Sequence, residues 1–249
     1  MTEYAAGTPS WVELSTADPE GALAFYGGLF GWKATDASEE HGGYRTWLLD
    51  GASVGGLNPV GEPASWVTYV ATGDARATAD RVRVAGGTVI AGPTEVGELG
   101  RMVLFTDREG VFLGAWQAGT MRGADRTNAP GAFAWHDLNT HDPERAKAFY
   151  SAVFGWEPDD QDMGGTTYTV WQVGRRGIGG AVQVPEQAPP RWVVWFAVAD
   201  RDDAVAKTEK LGGTVLEPKL DVPGVGQLAV IEDPQGAFFG VMQAETADE

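Results

Sequence analysis

Two acidic residues stand on strands that otherwise read as apolar. Glu13 lies in the run WVELS and Asp137 in the run WHDLN. Side chains alternate along a strand, so Trp11, Glu13 and Ser15 share one face, and Trp135, Asp137 and Asn139 share one face of the other strand. A carboxylate desolvated by aromatic neighbours holds its proton more tightly than in water, which suits general acid or base work. It serves equally as acceptor for a ligand amine or hydroxyl. The structural alternative is a buried pair with an arginine, such as Arg45, or exposure to solvent. The histidines are His41 in a Gly-rich loop, His136 with parity opposite to Trp135, and His141 just before Asp142. Solvated loop histidines are expected here rather than a metal site. There is no cysteine, which removes disulfides, thiolate metal sites and Cys nucleophiles together. No Walker motif occurs, and Gly86-Gly87 and Gly212-Gly213 follow helical patterns rather than opening them, so they read as C-caps.

The elements that must hold these residues come from a repeat. Residues 11–32 (WVELSTADPEGALAFYGGLFGW) match residues 135–156 (WHDLNTHDPERAKAFYSAVFGW) at an offset of 124. The match continues through Tyr44/Tyr168, Trp47/Trp171 and Gly55-Gly56/Gly179-Gly180. At an offset of 126 it then runs through Gly86/Gly212, Asp107/Asp233 and Gln117/Gln243. This predicts an N-terminal tail over 1–10, one domain over 11–117, a polar aperiodic linker over 118–131, a second domain over 132–243 and an acidic tail over 244–249. Each domain divides again. A short strand precedes an amphipathic helix capped by Asp18 and opened by Pro19, and three β-rich stretches follow. The order βαβββ begins near Trp11, Trp66, Trp135 and Trp192, giving an α+β protein of four modules.

The chain has 249 residues, 43% of them hydrophobic, and a formal charge of −17. It is long enough for two domains with real cores. The charge disfavours nucleic acid, which needs clustered Lys and Arg, and anionic membrane surfaces. The longest apolar run, 193–199, is too short to cross a bilayer, and residues 1–10 show no secretory pattern, so the cytoplasm is the expected location.

Paired βαβββ modules, the pattern D-P-E-x-A-x-x-FY-x-x-x-FGW and a D-P-x-G turn near the end resemble the vicinal oxygen chelate superfamily. Glyoxalase I, extradiol dioxygenases and bleomycin-resistance proteins belong to it. The likeness covers residues 11–243. It is nearer to the tandem actinobacterial glyoxalase/hydroxylase-like branch, some of whose members are encoded beside aromatic polyketide pathways. The resemblance implies two cup-shaped mixed sheets, each built from two modules. Metal-using members place ligands seven residues before the helix-capping Asp and seven after the Asp of the DPxG turn. Here those positions hold Trp11, Val67 and Gly114, then Trp135, Val193 and Gly240, with glycine pairs on the closing strands. None donates to a divalent ion, so no metal and no other cofactor is expected.

By the same resemblance the cups are lined by Trp11, Glu13, Val67, Tyr69, Gly114 and Trp116, and by Trp135, Asp137, Val193, Trp195 and Met242. Trp47 and Trp171 stand either on the lining or in the core, and Trp32 and Trp156 seal the core. Small Gly beside large Trp leaves room for a flat body against an aromatic face. The function read from this is metal-independent binding of a hydrophobic, partly planar small molecule. An aromatic polyketide or related antibiotic is expected, including one with a cationic amino sugar. Its purpose would be sequestration, self-resistance or an accessory step in biosynthesis. The alternative is a cofactor-independent hydroxylase, isomerase or cyclase using Glu13 or Asp137, or a methylglyoxal-type aldehyde detoxification enzyme. A monomer or a homodimer is expected.

Overall fold

The computed structural model describes residues 4–245. Of the acidic tail expected over 244–249, Ala244 ends the last strand and residues 246–249 lie outside the described residues. All four βαβββ modules are present. The first is β1 (Pro9–Ser15), α1 (Pro19–Phe30), β2 (Lys33–Ala34), β3 (Arg45–Leu49) and β4 (Ala52–Asn58). The second is β5 (Ser65–Ala71), α2 (Ala75–Val84), β6 (Thr88–Val96), β7 (Gly100–Thr106) and β8 (Phe112–Ala118). The third is β9 (Phe133–Thr140), α3 (Pro143–Phe154), β10 (Glu157–Asp162), β11 (Thr167–Val173) and β12 (Arg176–Gln183). The fourth is β13 (Arg191–Ala197), α4 (Arg201–Lys210), β14 (Thr214–Val222), β15 (Gly226–Glu232) and β16 (Phe238–Ala244). The strands form two eight-stranded mixed sheets, ordered β2-β3-β4-β1-β5-β8-β7-β6 and β10-β11-β12-β9-β13-β16-β15-β14. Among the described residues no helix is long and apolar enough to cross a membrane.

Local chemistry explains the helices. The Asp18 side chain accepts from Gly21 N, Pro19 opens α1, and Gly31 closes it in the left-handed region at φ 74°. Asp142, Pro143 and Gly155 repeat this around α3. Within each module the first and last strands pair in parallel and the rest form antiparallel hairpins. Glu13 thus stands opposite Gly56, Asp137 opposite Gly180, Tyr69 opposite Gly114 and Trp195 opposite Gly240.

By compactness the chain divides into two units. One contains the described residues up to Trp11, Val67–Gly123 and Trp135–Val193; the other contains Val12–Trp66, Ala124–Ala134 and the described residues from Val194 onward. The first unit joins most of the second and third modules, with α2 on α3. The second joins most of the first and fourth, with α1 on α4.

A buried hydrogen-bonded relay explains the FY and DPxG motifs. In the first unit Trp192 Nε1 donates to the Tyr150 hydroxyl at 3.0 Å, and that hydroxyl donates to Asp107 Oδ2 at 2.9 Å. Asp107 Oδ1 accepts from the backbone N–H groups of Glu109 and Val111 at the turn. In the second unit Trp66, Tyr26 and Asp233 repeat the relay at 2.9 Å for each step. Burial raises both aspartates above the usual carboxylate range and both phenols well above theirs. These aspartates therefore tie a turn to a helix inside each unit.

Candidate functional site

The strongest polar arrangement lies on one face of β9, β11 and β12 in the first unit. Register places Asp137 opposite Gly180, Gly180 opposite Val170, and Tyr168 two residues before Val170 on the same face. Tyr168 OH donates to Asp137 Oδ1 at 2.6 Å. Trp135 Nε1 is shared, 3.1 Å from the same carboxylate oxygen and 2.8 Å from the Tyr168 hydroxyl oxygen. All three side chains are half-buried. Burial, and then the Asp137 charge, push the Tyr168 phenol above its ordinary value, so it stays protonated and remains a donor. Gly180 makes the arrangement possible, because a Cβ there would overlap the Tyr168 hydroxyl and crowd Asp137. Gly177 lies beneath the Trp135 ring, 3.2 Å from Cη2 for a Cβ built on it. The glycines on this closing strand thus make room for an indole and a phenol.

Tyr168 is the residue that sequence reasoning missed. The signal was there in the Tyr44/Tyr168 match, on a strand adjoining the closing strand.

The second module supplies another face of the first unit. Val67 and Tyr69 are buried, and the Tyr69 ring lies against Gly114, where a Cβ would overlap it. Trp116 is buried and donates through Nε1 to Met121 O at 2.8 Å. It lines a cavity of about 290 Å³ with Tyr4, Ala71, Thr72 and the exposed Arg122. Trp11 and Val193 are buried in the same unit.

In the second unit Glu13 is buried and Asn58 Nδ2 donates to its Oε1 at 3.3 Å. Arg45 pairs instead with Glu20 of α1 at 3.0 Å. Trp195 lies on β13 against Gly240, with the half-buried Met242 next along that face.

Trp47 and Trp171 belong to the core. Trp47 stands opposite Gly55, one residue out of phase with the face of Glu13, and packs 5.9 Å from Tyr26 and 5.3 Å from Trp32. Trp171 stands opposite Gly179, packs on Tyr150 and Trp156, and donates to Gly180 O at 3.0 Å. Neither has any exposed surface. The out-of-phase register removes both from the lining.

The histidines are engaged separately. His41 Nδ1 is 2.9 Å from Ser38 Oγ, and His141 Nε2 is 2.9 Å from Ala188 O. His136 is not a solvated loop residue: it is buried in β9, with Nδ1 3.0 Å from Thr68 Oγ1. Burial lowers its pKa to about 3, so it is neutral at physiological pH. Glu109 accepts from Thr140 Oγ1 and lies 3.8 Å from His141 Nδ1. Among the described residues no group of three or more His, Asp or Glu side chains is placed to hold a metal ion. The residues at the family's ligand positions are indole, isopropyl and glycine, and this donor set does not fit a divalent cation.

Residues 8–114 match the family described as the glyoxalase/bleomycin resistance protein/dioxygenase superfamily, and residues 135–242 match the glyoxalase-like domain. CFP32 of Mycobacterium bovis is 38% identical over 252 residues, covering 97% of each chain. The anthracycline biosynthesis protein DnrV of Streptomyces peucetius is 38% identical over 263 residues, covering 98% of this chain and 95% of DnrV. Among solved structures, the Mn(II)-bound glyoxalase of Novosphingobium aromaticivorans has a TM-score of 0.66 at 16% identity, covering 98% of this chain and 86% of that one. The 2,3-dioxygenase LapB of Pseudomonas sp. KL28 has a TM-score of 0.67 at 14% identity, covering 98% and 95%. These last two share the fold.

Proposed function

Since the chain belongs to the glyoxalase/bleomycin resistance protein/dioxygenase superfamily, we propose that it has kept the scaffold and uses it for metal-independent binding of a planar, hydrophobic small molecule. The ligand is an aromatic polyketide or related antibiotic, and the role is accessory to its biosynthesis or protective against it. The observation that carries this reading is the Trp135–Asp137–Tyr168 arrangement, half-buried over the glycines of β12. An indole face offers stacking, while the carboxylate accepts from a ligand hydroxyl or ammonium group. The net charge of −17 favours a cationic amino sugar. Similarity to an anthracycline biosynthesis protein supports the ligand class.

A second reading rests on the 2.6 Å contact between Tyr168 OH and Asp137 Oδ1. A phenol held this close to a carboxylate is a proton donor and acceptor pair, suited to isomerisation or cyclisation of the same ligand.

One experiment separates the two. Chelator-treated protein is titrated with anthracyclines and their aglycones by tryptophan fluorescence, and the mixtures are examined by mass spectrometry or chromatography. Saturable quenching with ligand recovered unchanged is expected. Trp135→Ala should weaken it about tenfold, the loss of one stacking and hydrogen-bonding group. A product of altered mass or retention time that disappears in Asp137→Asn would establish the catalytic reading. Absence of saturable quenching across the panel overturns both.

A further inference from the structure

Trp195 carries a buried donor that the protein does not use. The residue is 6% exposed, and its Nε1 has no hydrogen-bond partner among the described residues. An unpaired buried N–H is costly, and native structures pair nearly all of them. Other indoles here follow that rule: Trp32 donates to Gly131 O at 2.7 Å, Trp156 to Gly7 O at 2.6 Å, and Trp66 and Trp192 to tyrosine hydroxyls. Trp47 Nε1 is also unpaired. It differs because it shares the register of Trp171, whose N–H reaches the next glycine carbonyl of its partner strand, and it sits within the aromatic core.

The orientation of Trp195 is fixed by Gly240. A Cβ on Gly240 would overlap Cε3, Cζ3 and Cδ2 of the indole. The benzene edge therefore lies on β16, and the pyrrole edge with Nε1–H is directed away from it. The same face carries Met242, Leu228 and Val230, all apolar. Met242 is half-buried and unbranched, the side chain most able to yield to an incoming ring.

We propose that Trp195 Nε1–H is the donor for a ring carbonyl, a quinone or aryl ketone oxygen, on a planar polycyclic ligand. An indole N–H can only donate, so its complement is an acceptor. In apolar surroundings on a chain of net charge −17, that acceptor is neutral rather than a carboxylate or phosphate. This site lies in the second unit; it rests on the binding reading above for its ligand class alone, which it narrows to oxidised aromatic ligands.

The test is calorimetric titration of the full chain with 2-(aminomethyl)anthraquinone and 2-(aminomethyl)anthracene, two flat cations that differ in the carbonyls. The wild-type protein should prefer the quinone about tenfold, and Trp195→Phe should erase that preference while the protein still melts cooperatively. A second measurement needs no substitution. The Trp195 indole cross-peak, assigned by triple-resonance spectra, should move downfield with the anthraquinone and not with the anthracene. A preference that survives Trp195→Phe, or an unmoved cross-peak, overturns the subsite. Equal binding of both compounds by the wild-type protein also overturns it and leaves the binding reading standing. Binding of neither overturns both.

Discussion

Strand β9 in the first unit and the Glu13 end of β1 in the second carry a carboxylate at the same place in the repeat, opposite the same glycine of the closing strand. Their surroundings differ. Asn58 donates to Glu13, whereas its counterpart Val182 has no donor, and Asp137 takes a phenol from Tyr168 and an indole N–H from Trp135. Duplication has copied the frame, and the Asn58/Val182 substitution on the closing strand adds a side-chain donor beside the carboxylate of the second unit. The interiors diverge likewise. The first unit buries Thr68 against His136, and the equivalent positions in the second unit are Val194 and Val12, both fully buried. A relay of Trp, Tyr and Asp is common to both. Contacts that fix a turn to a helix are kept, while those on the open face and beneath it are free to drift.

The largest expected effect concerns the Thr68–His136 pair. With its pKa lowered to about 3 by burial, against an ordinary 6.5, His136 is neutral in the folded chain while the unfolded chain takes up a proton. Its contribution is therefore constant above pH 6.5 and falls as pH drops from 6.5 towards 3, by about 1.4 kcal/mol per pH unit. Replacing the pair with the residues of the other unit, Thr68→Val with His136→Val, should remove this slope. Urea unfolding at pH 7 and pH 4.5 should show the variant losing about 2–3 kcal/mol less than the wild type over that interval. Equal losses would mean that His136 is protonated in the fold, and the contrast between the units would vanish.

The relays should behave alike where the histidine pair does not. Tyr150→Phe and Tyr26→Phe each remove a hydroxyl that joins an indole N–H to a buried aspartate. Each should cost about 1–3 kcal/mol by denaturant unfolding, because two polar partners lose their contact. A loss confined to one variant would show that one relay is slack and that the units differ even here.

Much of this was legible in the sequence. The four modules, the caps at Asp18 and Asp142, and the phase that sets Glu13 and Asp137 beside Trp11 and Trp135 follow from alternation and helix-end chemistry, which are local. Trp47 and Trp171 were ambiguous because their face depends on which glycine of the closing strand they oppose, a matter of register between strands. Tyr168 was hidden for the same reason, as its approach to Asp137 depends on the bare backbone of Gly180 on an intervening strand. The relays join residues 43 and 207 positions apart. Only the recurrence of the motifs hinted at them, and recurrence marks a position without saying what it touches.

The smallest expected effect concerns how the helices meet. In the second unit a Cβ on Gly28 of α1 would lie 2.7 Å from Leu211 Cδ2. In the first unit the equivalent residues are Ala152 and Ala85. The second unit pairs hydrogen with isobutyl where the first has two methyl groups, so the full swap adds one carbon and removes three. Gly28→Ala alone gains about 1 kcal/mol of helix propensity but must push the Leu211 side chain off its seat. The two terms oppose each other, so the net change by thermal unfolding should be within about 1 kcal/mol of zero. Adding Leu211→Ala, which recreates the pairing of the first unit, relieves the overlap but removes buried methyl groups. If the two sites act as one contact, the double variant should be more stable than the sum of the single changes predicts, with a coupling of at least about 0.5 kcal/mol. Simple additivity would mean that Leu211 relaxes freely, and that Gly28 is kept for some purpose other than making room for it.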